Sequence, residues 1–368
     1  MDNTHPPLVW PRLLDPPPAH VLLVYLDLNH WIGLAKASVG HPNGQAFVAV
    51  LNTCRTARSQ GTAVFVLSGT IYAEMLKIPD PEQRLHLARV MEELTGFATL
   101  ISRVTVMECE LSAMLDPAAK RPSPLNRVPL VGRGVRHAFG LNGGIAILDE
   151  SGRDVSEELR AEIGEAEFDR KMEEIFVESE RAMLRGPADS KEDEALRALG
   201  YFPEGPRGVV EDRAAQERAF KAILDADSHW RRGRLSDLVS ARELEIEFQN
   251  ILPRALEERG LALGEVITGP ESGRAFVATM PSTEVSITLK TAWHRNGQRN
   301  WTVNDIDDID AMALAVPYCD VVVTEKACSH ILRVAGLPER MGTAVLNKLT
   351  DLPDVLCQHK PKQRVTGN

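Results

Sequence analysis

Short, continuously apolar runs are the most restrictive pattern in this chain. Residues 21–26 (VLLVYL) and residues 62–67 (TAVFVL) consist mostly of aliphatic and β-branched side chains, and a helix-compatible segment follows each run. A strand that is apolar at nearly every position is typical of a sheet covered on both faces. The repeated order of strand and helix therefore predicts an α/β fold built on a Rossmann-like parallel sheet.

The same pattern returns near the C-terminus, where residues 320–324 (DVVVT) form a third candidate strand. Between the two regions, a loop rich in Pro, Arg and Gly gives way to charged, helix-prone stretches that prolines interrupt. Hydrophobic periodicity does not decide whether residues 274–293 form a strand or a helix. We predict four parts: an N-terminal extension (1–19), a first α/β part (20–110), a large, mostly helical insertion (111–300) and a second α/β part (301–368).

Composition narrows the classes of function. The chain has 368 residues and a net charge of −10, which argues against a broad surface that coats nucleic acid but leaves a local basic groove open. Its five cysteines show no CxxC spacing, so disulfides and structural zinc are poorly supported. Neither a secretory signal nor an apolar run of about 18 residues is present, and we therefore expect a cytoplasmic protein without a membrane span.

Acidic residues occur where the candidate strands end. Asp27 and Glu325 follow the first and last strands, and Glu74 lies four residues after Thr70 on the same face of the helix that follows the second strand. Because carboxyl ends of parallel strands share one edge, these acids should lie near one another. The alternatives stay open at this point: Asp27 is also a suitable helix N-cap, and Glu74 a solvated helix residue.

A third acidic segment precedes the last strand, in the sequence NDIDDIDAMALA. If Asn304 caps that helix, Asp305, Asp307 and Asp308 fall in its first turn, where the helix dipole alone explains them. Asp310 lies beyond that turn, at the edge of an apolar stripe, and would be costly there without a partner. Asp307 lies one turn earlier on the same face.

Acids from separate segments would repel one another unless cations lay between them. Oxygen ligands that leave room for water suit Mg²⁺ or Mn²⁺. A cation held in this way can activate water and neutralise phosphoryl charge, which indicates hydrolysis of phosphodiesters.

These segments together resemble the PIN-like nuclease family: Asp27 after a strand, Glu74 in LSGTIYAE, Asp310 in DIDAMALA, and the run VVVTEK. The resemblance covers roughly residues 20–105 and 300–350. It implies a Rossmann-like sheet, an acidic pocket that holds one or two Mg²⁺ or Mn²⁺ ions, and cleavage of RNA.

By position, the resemblance implies that Asp27, Glu74 and Asp310 bind metal, with Asp307 assisting. Many relatives carry a fourth acid two residues after the strand's threonine, where this chain has Lys326. Glu325 follows Thr324 directly and would position the attacking water. The hydroxyls of Thr70 and Thr324 would orient metal-bound waters.

RNA also needs positive charge and stacking surfaces. The first candidate is Trp230 with its neighbouring arginines, and a second lies close to Trp301. Packing of arginine and tryptophan on a helical surface is the more frequent explanation. The residues in question are Trp230, Arg231, Arg232 and Arg234 in the first group, and Arg295, Arg299 and Trp301 in the second.

The leading hypothesis is thus a metal-dependent ribonuclease whose insertion selects the substrate or pairs the chain with a second copy of itself. A catalytically silent PIN-like scaffold that binds protein or RNA is the first alternative, and a metal-dependent hydrolase of small phosphate esters is the second. The sequence leaves open whether the role is that of a toxin, a defence effector or an RNA-processing enzyme, and it identifies no inhibitor protein.

Overall fold

The computed structural model describes residues 10–120, 126–141, 146–198 and 204–362. Eight strands occur in these ranges: β1 (Leu14–Asp15), β2 (Leu22–Leu26), β3 (Ala63–Val66), β4 (Ala98–Leu100), β5 (Val128–Pro129), β6 (Val131–Arg133), β7 (Val321–Val323) and β8 (Ala344–Leu346). Short 3₁₀ turns occupy Pro42–Phe47, Asp116–Ala118, Ser228–Arg231 and Leu349–Asp351.

The same ranges contain nineteen α-helices. The first six are α1 (Leu28–Ser38), α2 (Val48–Ser59), α3 (Gly69–Met75), α4 (Pro81–Thr95), α5 (Arg103–Leu115) and α6 (Gly134–Ala138). The next nine are α7 (Ser156–Ile163), α8 (Glu165–Arg185), α9 (Ser190–Ala198), α10 (Glu204–Ala226), α11 (Leu235–Ile246), α12 (Ile251–Arg259), α13 (Leu263–Val266), α14 (Pro270–Ala278) and α15 (Pro281–Arg295). The last four are α16 (Val303–Tyr318), α17 (Lys326–Val334), α18 (Leu337–Met341) and α19 (Leu352–Gln358).

The central sheet has four parallel strands in the order β3-β2-β7-β8. Strand β2 is buried along its whole length between β3 and β7, as its unbroken apolar sequence predicts. A parallel bridge between Leu67 and Thr99 places β4 beside β3. The predicted α/β class with a parallel sheet is confirmed, and the carboxyl ends of β2, β3 and β7 meet at one edge.

The predicted N-terminal extension is partly built into the core. Strand β1 pairs in parallel with β5, and the buried Trp10 ring contacts Tyr318 edge-on at 5.3 Å between centroids. Residues 1–9 lie outside the described ranges. Strand β6 pairs antiparallel with β4, and Leu184 of α8 belongs to the core around the sheet. Segments numbered within the 111–300 insertion therefore complete the α/β core.

A second hydrophobic core lies among helices of the insertion. Phe220 of α10, Phe248 and Phe276 of α14 are its large buried aromatic residues, and α5 and α15 also contribute. Residues 274–293 are helical, because α14 and α15 follow each other with a break at Met280 and Pro281. Helix α15 packs on α16, so α16 lies between the second core and the sheet.

None of the helices in the described ranges is both long enough and apolar enough to cross a lipid bilayer.

Candidate functional site

Asp27 lies directly after the carboxyl end of β2 and is the N-cap residue of α1. One carboxylate oxygen accepts a hydrogen bond from the Leu28 backbone N–H at 2.8 Å, and the Asp27 backbone N–H donates to Val323 of β7 at 3.0 Å. The residue is only 6% exposed. Burial, together with the charge of Glu325, raises the pKa of Asp27 to about 6 despite the lowering effect of the hydrogen bond from Leu28. Asp27 is therefore a helix cap and also a member of an acidic group.

Glu74 reaches the same edge from α3. Ser68 caps this helix by accepting a hydrogen bond from Ile71 N–H at 3.3 Å, as the Ser-Gly-Thr sequence predicts, and Thr70 is half-buried in its first turn. Burial, followed by the charges of Asp27 and Asp307, raises the pKa of Glu74 to about 8. Within the described residues its carboxylate makes no hydrogen bond.

Helix α16 begins two residues earlier than the sequence suggests. Thr302, not the predicted Asn304, is its N-cap: the Thr302 hydroxyl accepts from Asp305 N–H, and the Asp305 carboxylate accepts from Thr302 N–H at 2.7 Å. This capping box leaves Asp305 as the acid of the first turn. The helix dipole, which acts within that turn, no longer explains Asp307 and Asp308.

Asp307 and Asp308 are the acids of α16 that adjoin Asp27 and Glu74. Asp307 is 4% exposed and accepts a short hydrogen bond from Lys77, which also donates to Asn304 at 3.0 Å. Burial, then the charges of Asp27 and Glu325, raises the pKa of Asp308 to about 7. No hydrogen bond to the Asp308 carboxylate occurs in the part of the chain that the structure describes.

Glu325 lies at the same edge but is exposed. Its carboxylate accepts a hydrogen bond from the Asn29 side chain at 2.6 Å, and its charge reaches Asp27 and Asp308. The neighbouring Thr324 is buried and continues the β7–β8 pairing through its backbone N–H. Glu325 is thus beside the acidic group rather than inside it.

The structure does not bring Asp310 to this group. Two arginines hold its carboxylate: Arg103 at 2.6 Å, and Arg213 through two hydrogen bonds at 2.6 and 2.9 Å. Burial acts to raise the pKa of Asp310, but these two cations hold it below its ordinary value. The sequence prediction that this position needs a partner is met by arginine, and Asp308 is the acid of α16 that lies beside Asp27 in place of Asp310.

Asp310 belongs instead to a buried network of charges. Its centre is Lys290, which is 3% exposed and lies 2.6 Å from Glu243 and 3.2 Å from Glu247. The network joins α5, α10, α11, α15 and α16, and its members are Arg103, Arg213, Glu217, Arg242, Glu243, Glu247, Lys290, His294 and Asp310. It fixes the side of α16 that faces away from the acidic edge.

The donor chemistry of the acidic edge fits a hard divalent cation, because it consists of carboxylates, two of which have no hydrogen-bond partner among the described residues. Nevertheless, no three His, Cys, Asp or Glu side chains in the described ranges stand in a ready metal-holding arrangement. Lys77 on Asp307 and Asn29 on Glu325 instead supply the counter-charge and hydrogen bonding.

The predicted RNA-contacting residues divide into two kinds. Arg231 is used internally, since its guanidinium donates to the backbone oxygens of Leu224 and His294 and to Asp225. Trp230 is 39% exposed, and Arg232 and Arg234 are exposed beside it. Of the second group, Trp301 is buried, and Arg299 pairs with Asp305 while covering the Trp293 ring at 4.1 Å.

Comparison with protein-family models, with curated proteins and with solved structures finds no match to this chain.

Sequence reasoning missed Asp308 and Lys77. A helix that begins at Asn304 puts Asp308 in the first turn, where the helix dipole alone explains an acid. The pattern Thr-x-x-Asp at Thr302 and Asp305 is a capping-box signal that places Asp308 in the second turn. Lys77 carries no such signal, because its pairing with Asp307 joins segments far apart in the chain.

Proposed function

We propose that this protein is a metal-dependent nuclease with a PIN-like fold, and that RNA is its substrate. The observation that carries the proposal is the meeting of Asp27, Glu74, Asp307 and Asp308 at the carboxyl edge of a parallel sheet, where each of these side chains has a raised pKa. Three separate segments supply these acids, and ligand sites of open α/β sheets lie at this edge.

Buried like charges are costly unless a cation compensates them. Lys77 forms an ion pair with one of the four carboxylates, and the other three have no ion pair within the described residues. Strongly shifted acids in a shared site are typical of functional groups. An Mg²⁺ or Mn²⁺ ion would supply charge neutralisation at a phosphodiester and activation of water.

The chain's own residues would then act as follows. Asp27, Glu74 and Asp308 would hold the cation, with Asp307 alongside, and the α1 cap would keep Asp27 oriented. Glu325, exposed at the rim and steadied by Asn29, would accept a hydrogen bond from the attacking water. Thr70 and Thr324, which follow β3 and β7 in the chain, would contribute hydroxyls that orient metal-bound water.

The test is cleavage of end-labelled single-stranded RNA by the purified full chain with Mn²⁺ or Mg²⁺, compared with EDTA. Asp27→Asn and Asp308→Asn should each abolish cutting, whereas Asp354→Asn, an exposed acid of α19, should cut as the unaltered protein does. Cutting that persists in EDTA, or in both site variants, would contradict the proposal. Turnover of a small phosphate ester without any cut in RNA would identify the phosphohydrolase alternative.

A silent binding module is the second candidate, and a specific observation favours it. Lys77 already supplies a cation to Asp307, and the described carboxylates do not form a ready metal shell. Such a module would bind its partner equally well in chelator, and Asp27→Asn would leave that binding unchanged.

A further inference from the structure

A cavity lies within the insertion, apart from the acidic residues described above. It measures about 450 Å³ and opens between the 3₁₀ turn Ser228–Arg231, helix α11 and the start of α14. Its floor is apolar, with Leu238, Leu244 and Ile267, and Gly269 and Gly273 leave space at one wall. Trp230 forms another wall.

The turn that carries Trp230 is held firmly from beneath. Asp227 caps it by accepting a hydrogen bond from His229 N–H at 3.0 Å. Arg231 anchors it through hydrogen bonds to Leu224 O at 2.9 Å and His294 O at 3.1 Å. The indole is therefore presented by a fixed turn although it is 39% exposed, which reduces the entropy lost when a ligand binds.

Two arginines stand at the mouth of the cavity. Arg234 and Arg274 are both more than half exposed, and Asp237 lies between them at 3.4 and 3.2 Å. Arg232, exposed on the same turn, makes no side-chain hydrogen bond or ion pair within the described residues. In a chain of net charge −10, two of these arginines, Arg234 and Arg274, line the same cavity as the Trp230 ring.

We propose that this cavity receives an unstacked base of single-stranded RNA. The base would stack on Trp230 above the apolar floor, and the adjoining phosphates would lie against Arg232, Arg234 and Arg274. The inference rests on the proposed function for the choice of RNA, and it names where the insertion holds the strand. Arg231 also lies near the loop between α15 and α16, since a Cβ added at Gly297 would come within 3.6 Å of its guanidinium.

Fluorescence gives a test that is independent of cleavage. The chain has five tryptophans, and Trp10, Trp31, Trp293 and Trp301 are at most 3% exposed, so Trp230 is the one that a base can reach. A short oligouridylate added to the full chain in EDTA should quench tryptophan emission. In Trp230→Phe the quenching should disappear while most of the binding remains, as measured by the anisotropy of a labelled oligouridylate.

The anisotropy measurement then shows how much each side chain contributes to the affinity for oligouridylate. Trp230→Ala should weaken binding by about tenfold or more, as expected for loss of one stacked base. Arg234→Gln combined with Arg274→Gln should weaken it and reduce its dependence on salt. Arg254→Gln, an arginine of α12 as exposed as these two, should bind as the unaltered protein does. Thermal unfolding of each variant confirms that it is folded.

Three results would overturn the inference: absence of binding, binding without quenching, or unchanged affinity in Trp230→Ala. Each can be told apart from failure of the nuclease proposal. Metal-dependent cutting that ignores Trp230 would keep the nuclease and remove the cavity as an RNA site. Quenching that depends on Trp230, without any cutting, would keep the cavity and remove the nuclease.

Discussion

Asp308 and Asp310 are two residues apart on α16, yet their carboxyl groups have opposite pKa shifts. At 100° per residue they point about 160° apart around the helix axis. Asp308 lies among acids, where burial and the neighbouring charges raise its pKa to about 7. Asp310 is half-buried, and although desolvation acts to raise its pKa, Arg213 and Arg103 hold that pKa below the ordinary value. Helix α16 thus separates the acidic edge, where Asp308 has no cationic partner among the described residues, from the buried network, where arginines neutralise Asp310.

This difference predicts unequal effects of the same substitution. Asp308→Asn removes a charge that is costly to bury, so it should leave unfolding free energy unchanged or raised while abolishing metal-dependent cutting. Asp310→Asn removes the anion that Arg103 and Arg213 share, which leaves these two arginines with Glu243 and Glu247 alone, and it should destabilise by about 3 kcal/mol. Urea unfolding of both variants measures the difference. Equal losses of unfolding free energy in the two variants would show that Asp308 and Asp310 do not lie in different electrostatic environments.

Metal binding should be visible without any substrate. We expect Mn²⁺ to raise the thermal unfolding midpoint of the unaltered chain, by the equivalent of about 2.7 kcal/mol at a hundred times Kd. Asp308→Asn should lose most of this increase, and Asp354→Asn should retain it. A midpoint that Mn²⁺ shifts equally in all three proteins would place the bound metal elsewhere.

Asp27 is both a helix N-cap and a member of the acidic group, so replacing it with asparagine or with alanine should have different effects on stability. Asparagine is as good an N-cap as aspartate, so Asp27→Asn should remove the charge and keep α1 stable. Asp27→Ala should remove the cap as well and cost about 1 kcal/mol of unfolding free energy relative to Asp27→Asn. Chemical denaturation compares the two. If the alanine variant were as stable as the asparagine variant, the Leu28 hydrogen bond would have no energetic role.

Glu110 predicts a pH dependence of stability. It is 1% exposed, and burial raises its pKa to about 7, although Ser282 and Tyr318 donate hydrogen bonds that favour the charged form. Its ordinary pKa is 4.5, so the folded chain binds the proton more tightly than the unfolded chain. Its stabilising contribution is complete below pH 4.5 and is lost as pH rises to about 7, a change of about 3 kcal/mol.

Glu110→Gln keeps the shape and the hydrogen-bonding capacity of the protonated acid. The difference in unfolding free energy between this variant and the unaltered chain should therefore shift in favour of the variant between pH 4.5 and pH 7, and then level off. Parallel stability curves over that interval would show that Glu110 does not titrate there.

Lys290 tests the buried network itself. Lys290→Met leaves Glu243, Glu247 and Glu217 short of a cation and should destabilise by about 3–5 kcal/mol. Lys221→Met, which breaks an i,i+4 pair with the exposed Asp225, should cost far less, because solvent screens that pair. Urea unfolding compares the two lysines. Equal costs would mean that the network is no more coupled than a surface pair.

Strands β2, β3 and β7 were predictable because their apolar runs are local signals, and the edge that Asp27 and Glu74 share follows from parallel pairing. Strand β8, the fourth strand of the sheet, was not among the predicted strands. The role of Asp310 could not be predicted, because Arg103 and Arg213 come from α5 and α10. No local sequence pattern indicates a contact between residues so far apart in the chain. The boundary at residue 111 was equally beyond the sequence, because β5 and β6 are too short to stand out yet pair with β1 and β4.

The order of the sheet has a consequence for synthesis of the chain. Strand β2 pairs with β7, and residues 67–320 must be translated after β3 before β7 exists. Until then, β2 is an edge strand, and Asp27 and Glu74 lack the helix that carries Asp307 and Asp308. A nascent chain on the ribosome therefore cannot assemble the acidic edge until α16 and β7 have been synthesised, and whatever chemistry that edge performs begins only after that point.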